Sequence, residues 1–156
     1  MSYFTTHLSA QSHGLRLPDE HRADIERYVQ QHQQGKVTAE RAPFRRQIDL
    51  WAFAIATAIA KGLPPADEAT GRVFVRTRDV QMSDDLCDLL AVLAFATLGI
   101  DDPKVDDPAA IIDVGNRFAA AGCPAVIAEL ADPNLRLTTL EKILDFAAQL
   151  YTSAPA

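Results

Sequence analysis

The fold class this sequence predicts is all-α: a compact bundle of five to six helices around two central apolar helices, with one short strand near residues 72–78. Three observations lead there. Hydrophobic residues make up 48% of the chain but aromatics only 7%, a balance rich in alanine that favours packed helices over sandwiched strands. Two segments, 44–60 and 86–98, are apolar on nearly every side at helical spacing, as central helices are. Start and stop residues also recur at helix-length intervals.

In order along the chain, residues 1–17 are polar and without a sustained period, and read as an irregular N-terminal segment. A single helical domain is expected from 18 to 151. Its first helix opens at Pro18 with Asp19 and Glu20 at the positive end of the helix dipole, and runs to about Gln34 before Gly35. His21, Ile25, Tyr28 and His32 form its narrow stripe. The second helix opens near Pro43 and reads FRRQIDLWAFAIATAIAK, with Phe44, Ile48, Trp51, Ile55 and Ile59 on one face. Gly62 and the Pro64-Pro65 pair stop it. The connector from 62 to 82 contains VFVRTRDV, which supplies the one short strand.

The third helix starts at Ser83, an N-cap followed by Asp84 and Asp85, and ends at Gly99. After the loop DDPKVDD, a fourth helix has Asp107 as N-cap and Pro108 at its first position, with Gly122 beyond its end. A short helical piece follows from Pro124 to Leu130, broken by Asp132-Pro133. In the last helix Thr138 and Glu141 have capping-box spacing, and Leu140, Ile143, Leu144, Ala147 and Tyr151 form its stripe. Residues 152–156 read as a flexible tail.

At 156 residues the chain can bury roughly 68 to 70% of its unfolded surface, so a hydrophobic core alone suffices. Cys87 and Cys123 form no CxxC and no disulfide framework, and read as reduced core thiols. Fifteen basic against twenty-one acidic side chains give a net charge of −6, so the field of the whole molecule repels polyanions, and nucleic-acid contact is expected only locally and weakly. The stretch MSYFTTHLSAQSHG has no basic leader and no apolar run, and the apolar stretch from Ile48 to Ala60 is about 13 residues against roughly 20 for a bilayer. A cytoplasmic protein without membrane contact is the expectation.

No catalytic residues, metal ligands or cofactor are expected. His21 and His32 lie eleven residues apart, roughly 16 Å along a helix at ~1.5 Å per residue, too far for one ion. Asp101, Asp102, Asp106 and Asp107 lack the glycine and terminal glutamate of a calcium loop and read as turn and cap residues. No GxSxG, Walker loop or GxGxxG occurs.

What stands out is a basic cluster, Arg41, Arg45 and Arg46, at the positive end of the second helix, where cations are slightly destabilising. An anionic partner would account for it, and Arg72, Arg76 and Arg78 extend the same surface if the two segments meet in space. The competing reading is internal pairing, for example Arg45 with Asp49, or with Asp67 and Glu68.

The order of blocks resembles the associated protein 4 type of DNA phosphorothioation (Dnd) defence systems. The blocks are PFRRQIDLWAFAIATAIAKG, DLLAVLAFATLGIDDPKVDD and IIDVGNRFAAAGCPAVIAEL, and the resemblance covers roughly residues 40 to 150. It implies a non-catalytic accessory protein of an anti-phage or DNA-modification cluster, an adaptor that docks on larger protein components of a defence complex. The alternatives are backbone-only nucleic-acid binding through the same arginines, and an enzyme whose site the sequence does not nominate. Self-association is compatible with each.

Overall fold

A computed structural model describes residues 3–132 and 138–153, and the side chains of 5–132 and 138–152. Six α-helices and a two-stranded antiparallel sheet make up the fold: α1 (Tyr3–Ser9), β1 (Gly14–Arg16), α2 (Arg22–Tyr28), α3 (Gln47–Ala60), β2 (Val73–Arg76), α4 (Asp84–Leu98), α5 (Pro108–Ala131) and α6 (Thr139–Ser153). The molecule is therefore predominantly helical but not all-α.

The centre of the bundle is α5. Its buried residues include Ile111, Ile112, Val114, Phe118, Cys123, Val126 and Ile127. Against it pack α3, α4, α6 and β1, so that segments 44–60 and 86–98 meet through α5 rather than forming the centre themselves. The expected fourth helix and the short piece from Pro124 are one helix of 24 residues. Gly122, expected as a stop, is instead a packing residue: a Cβ there would overlap the Ala54 carbonyl oxygen of α3. Gly115 does the same one level below, where a Cβ would meet Leu90 of α4 and the Trp51 ring of α3. Pro124 lies inside this helix on its exposed side and deprives it of one N–H donor. By length and composition α5 is apolar enough to cross a bilayer, but most of its apolar window is buried among the other helices.

Two further expectations fail for the same reason, that pairing distant in sequence overrides local pattern. The segment expected to be irregular, 1–17, carries α1 and β1; Leu8 and Leu15 are completely buried, and Leu15 pairs with Val75 across the sheet. The first helix does not run from 18 to 34. It is a 3-10 turn at Asp19–His21, then α2, then a second 3-10 turn at Gln30–His32. Val29 is extended because it forms an isolated parallel bridge with Phe44, with Gln30 N–H donating to the Phe44 carbonyl at 2.8 Å. Of the stripe, Ile25 and Tyr28 are buried and His32 is exposed.

The predicted caps hold. Ser83 Oγ accepts from Leu86 N–H at 3.2 Å, and Asp107 accepts from Ala109 N–H at 3.0 Å. Thr138 and Glu141 form a capping box: Glu141 Oε2 accepts from Thr138 N–H at 2.8 Å, and Thr138 Oγ1 from Glu141 N–H at 3.3 Å. The expected break at Pro133 lies outside the described residues. So does most of the expected tail, although α6 continues through Thr152 to Ser153.

One buried polar side chain ties sheet to helices. Asn116 of α5 accepts from Trp51 Nε1 at 3.1 Å and from Arg16 N–H at 2.8 Å, and donates to the Gly14 carbonyl at 3.0 Å. With every polar atom of its amide engaged, β1 is held on the core, and through β1 so is β2.

Candidate partner-binding groove

The second predicted helix begins later than the sequence suggests, at Gln47, and this changes the setting of the arginines. Arg45 and Arg46 lie outside the helix and Arg46 is its N-cap residue. Asp49 folds back on it, accepting from Arg46 N–H at 2.8 Å and from its guanidinium at 3.0 Å. The internal pair is thus Arg46–Asp49, not Arg45–Asp49. The carboxylate sits at the positive end of α3, where the dipole favours it, and balances the cation that the same end disfavours.

The two basic segments meet along one groove made of three hollows. The first, of about 160 Å³, has an apolar floor of Leu17, Ile25, Val73 and Phe74 and a rim bearing Arg22, Arg72 and His32. The second, of about 290 Å³, is lined by Arg46, Ile48, Phe74, Val75 and Val80, and shares Gln47 and Phe74 with the first. The third, of about 450 Å³, is a shallow basin bearing Lys36, Arg45 and Arg46, and shares Gln31 and Arg46 with the second. Arg46 and Arg72, 26 residues apart in sequence, therefore line adjoining hollows.

Charges along the groove divide into paired and unpaired. Arg22 Nε bonds Glu26 at 2.8 Å, which holds the Glu26 carboxyl below its ordinary range, with His32 and Arg72 adding smaller attractions. Arg72 lies 3.7 Å from Asp19. These are exposed pairs of small energetic value, and a competing carboxylate can take either guanidinium. Among the described residues Lys36 and Arg45 have no carboxylate within ion-pair reach. Across the three hollows five cations (Arg22, Lys36, Arg45, Arg46, Arg72) face three carboxylates (Asp19, Glu26, Asp79), a local excess of positive charge on a chain of net charge −6.

No family model, curated protein or solved structure matches this chain.

The other predicted arginines stand apart from the groove. Arg41 is exposed in a turn whose Glu40 carbonyl accepts from Leu140 N–H of α6 at 3.3 Å, and lines none of the three hollows. Arg76 is exposed at the end of β2, and Arg78 pairs with Asp79 at 3.5 Å. Neither Asp67 nor Glu68 pairs with an arginine among the described residues. Sequence reading missed Arg22, His32, Lys36, Gln47 and Phe74. Phe74 carried the one usable signal, an aromatic inside a predicted strand bounded by arginines.

The two cysteines offer no activated nucleophile. Burial pushes the Cys123 thiol up to about 12, and burial raises the Cys87 thiol as well, so both stay protonated and poor nucleophiles. Among the described residues no three metal-ligating side chains converge.

Proposed function

We propose that this protein is a non-catalytic adaptor that docks on a larger partner protein through the groove between β2 and the start of α3. One observation carries the reading: Arg45–Arg46 and Arg72–Val75, distant in sequence, line three adjoining hollows that share residues, the first two with apolar floors, and cations outnumber carboxylates among their lining residues. Apolar floor beside guanidinium rim is the composition of protein-docking surfaces, where arginine is enriched and charge complementarity sets partner choice. The resemblance of the helical blocks to Dnd-associated proteins supports placing the partner among the components of a DNA-modification-linked defence complex.

The test is a charge-reversal series in the native host. Lys36→Glu with Arg45→Glu is expected to abolish a cross-linked partner complex that the unaltered protein forms, whereas Arg27→Glu, outside the groove, is expected to retain it. Equal recovery of the partner by both variants overturns the docking reading. A steep loss of DNA affinity with salt in the unaltered protein, removed by the same double substitution, replaces the protein partner with a phosphate backbone.

A further inference from the structure

Lys36, Arg45 and Arg46 share the third hollow, and among the described residues no carboxylate lines it. The other two differ, with Asp19 and Glu26 lining the first and Asp79 the second. Glu40, the acidic residue nearest to Lys36 in sequence, lies outside the basin's lining. Arg46 donates through Nη2 to Asp49, which does not line the basin either. The side chains of Lys36 and Arg45 make no hydrogen bond or ion pair among the described residues. Three cations against the one carboxylate paired with them leave two positive charges uncompensated.

Main chain holds the frame around these side chains. Val29 and Phe44 form the isolated parallel bridge, and Gln30 donates twice, from N–H to the Phe44 carbonyl and from Nε2 to the Ala42 carbonyl, both at 2.8 Å. Between those ties Gly35 takes a φ of +84°, a left-handed conformation that favours glycine, and the chain turns there to set Lys36 on the same basin as Arg45. Arg45 stands two residues before α3, at the end where the helix dipole disfavours a cation. Neither unpaired side chain serves the described fold, and an anion seated between them offsets their mutual repulsion.

Charge and shape select the anion. A carboxylate brings one negative charge. A phosphorylated side chain brings about −1.5 to −2 at pH 7 and three acceptor oxygens, which suits two uncompensated charges and three cationic side chains. A nucleic-acid backbone brings a run of phosphates and calls for a basic stripe. Here the positive surface gives way to Asp79 in the adjoining hollow, and the whole chain carries −6.

We propose that the basin of Lys36, Arg45 and Arg46 holds the phosphate of a phosphorylated serine or threonine on the partner protein, and that an apolar side chain next to it enters the second hollow against Ile48, Phe74 and Val80. This rests on the docking reading above and names what the partner presents. Gln31 and Arg46 line both hollows, so one short segment reaches from one to the other. Arginine clusters recognise phosphorylated motifs in this way, their planar forks taking pairs of phosphate oxygens. Docking then follows the phosphorylation state of the partner.

The probe is an acetylated, amidated peptide of about five residues with phosphoserine between valine and leucine, titrated into the full chain and followed by amide resonances. Binding is expected to shift the Lys36, Arg45 and Phe74 amides. The same peptide with serine or glutamate in place of phosphoserine is expected to bind at least about tenfold more weakly, because charge-assisted bonds are lost. Lys36→Gln with Arg45→Gln, at two exposed positions, is expected to lower phosphopeptide affinity about tenfold at an unchanged melting temperature. Arg27→Gln, outside the groove, is expected to retain it. Equal affinity for the glutamate and phosphoserine peptides overturns the phosphate reading, as does absence of any shift with the phosphopeptide at millimolar concentration. The docking reading then stands or falls separately, on the charge-reversal test of the partner complex. Inorganic phosphate that binds as tightly as the phosphopeptide and leaves the Phe74 amide unmoved makes the basin a free-anion site and overturns the partner's phosphate. Tighter binding of a single-stranded oligonucleotide, falling steeply with salt, overturns it in favour of nucleic acid.

Discussion

Trp51 and Gly122 show how single residues set the contact between α3 and α5. Trp51 is fully buried and donates to Asn116. Trp51→Ala is expected to cost about 3 to 5 kcal/mol through lost burial and the cavity left behind, measured by denaturant melts. Gly122→Ala is expected to destabilise too, although alanine favours helices by about 1 kcal/mol, because its methyl would press on α3 main chain and not on a movable side chain. A gain in stability would show that the two helices do not approach as closely as described. The cysteines carry a prediction in the same core. With the folded Cys123 thiol held near 12 and the unfolded one near its ordinary ~8.5, only the unfolded chain loses the proton between those values. Stability is therefore fully present below about pH 8.5 and falls as pH rises above it. A thiol reagent at pH 8 should label neither cysteine until denaturant is added.

Element by element, α6 is the helix whose attachment can be dissected most directly. Lys142 is buried on it, and its ammonium donates to the Leu130 and Asp132 carbonyls at 3.3 and 2.7 Å. A cation thus serves carbonyls at the negative end of α5, where the dipole favours it. Lys142→Met keeps the apolar stem and removes the donor. It is expected to cost roughly 1 to 3 kcal/mol, with amide exchange accelerating in α6 before the rest. The capping box at its start adds a pH dependence. The Glu141 carboxyl is held below its ordinary value by the Thr138 N–H, then by the Thr138 hydroxyl. A depressed folded pKa means the contribution is present above the unfolded value and lost as pH falls through the folded one. The first turn of α6 should fray in acid below about pH 4, and Glu141→Gln should flatten that dependence.

For the whole molecule, charge and stability are expected to separate. Lys36 and Arg45 are exposed and unpaired among the described residues, so reversing both should change stability by no more than about 0.5 kcal/mol. Arg46→Ala should cost slightly more, since it removes the guanidinium held by Asp49 at the start of α3. If the double reversal at Lys36 and Arg45 unfolds the protein in thermal melts, these cations stabilise the fold and the groove loses its claim to a partner.

Local signals determined a good part of this protein. The apolar surfaces of α3 and α4, the caps at Ser83, Asp107 and Thr138, the stretch that becomes β2 and the unreactive setting of both cysteines are legible in the sequence, because each depends on residues within a turn or two. Tertiary structure decided the rest. Gly122 reads as a stop from its neighbours alone, and only the approach of Ala54 shows it to be the point where two helices touch. β1 has three residues and no periodicity of its own; it exists because Val73–Arg76, some sixty residues away, completes its hydrogen bonds and Asn116 holds its main chain. Val29 is drawn out of a helix by Phe44 for the same reason. The sequence offers Arg41, Arg45 and Arg46 as one cluster and Arg72, Arg76 and Arg78 as its extension only if the two segments meet. Folding sorts them, placing Arg45, Arg46 and Arg72 on one groove and leaving Arg41, Arg76 and Arg78 outside it, because which charges share a surface depends on how distant segments pack, and no local pattern encodes that distance.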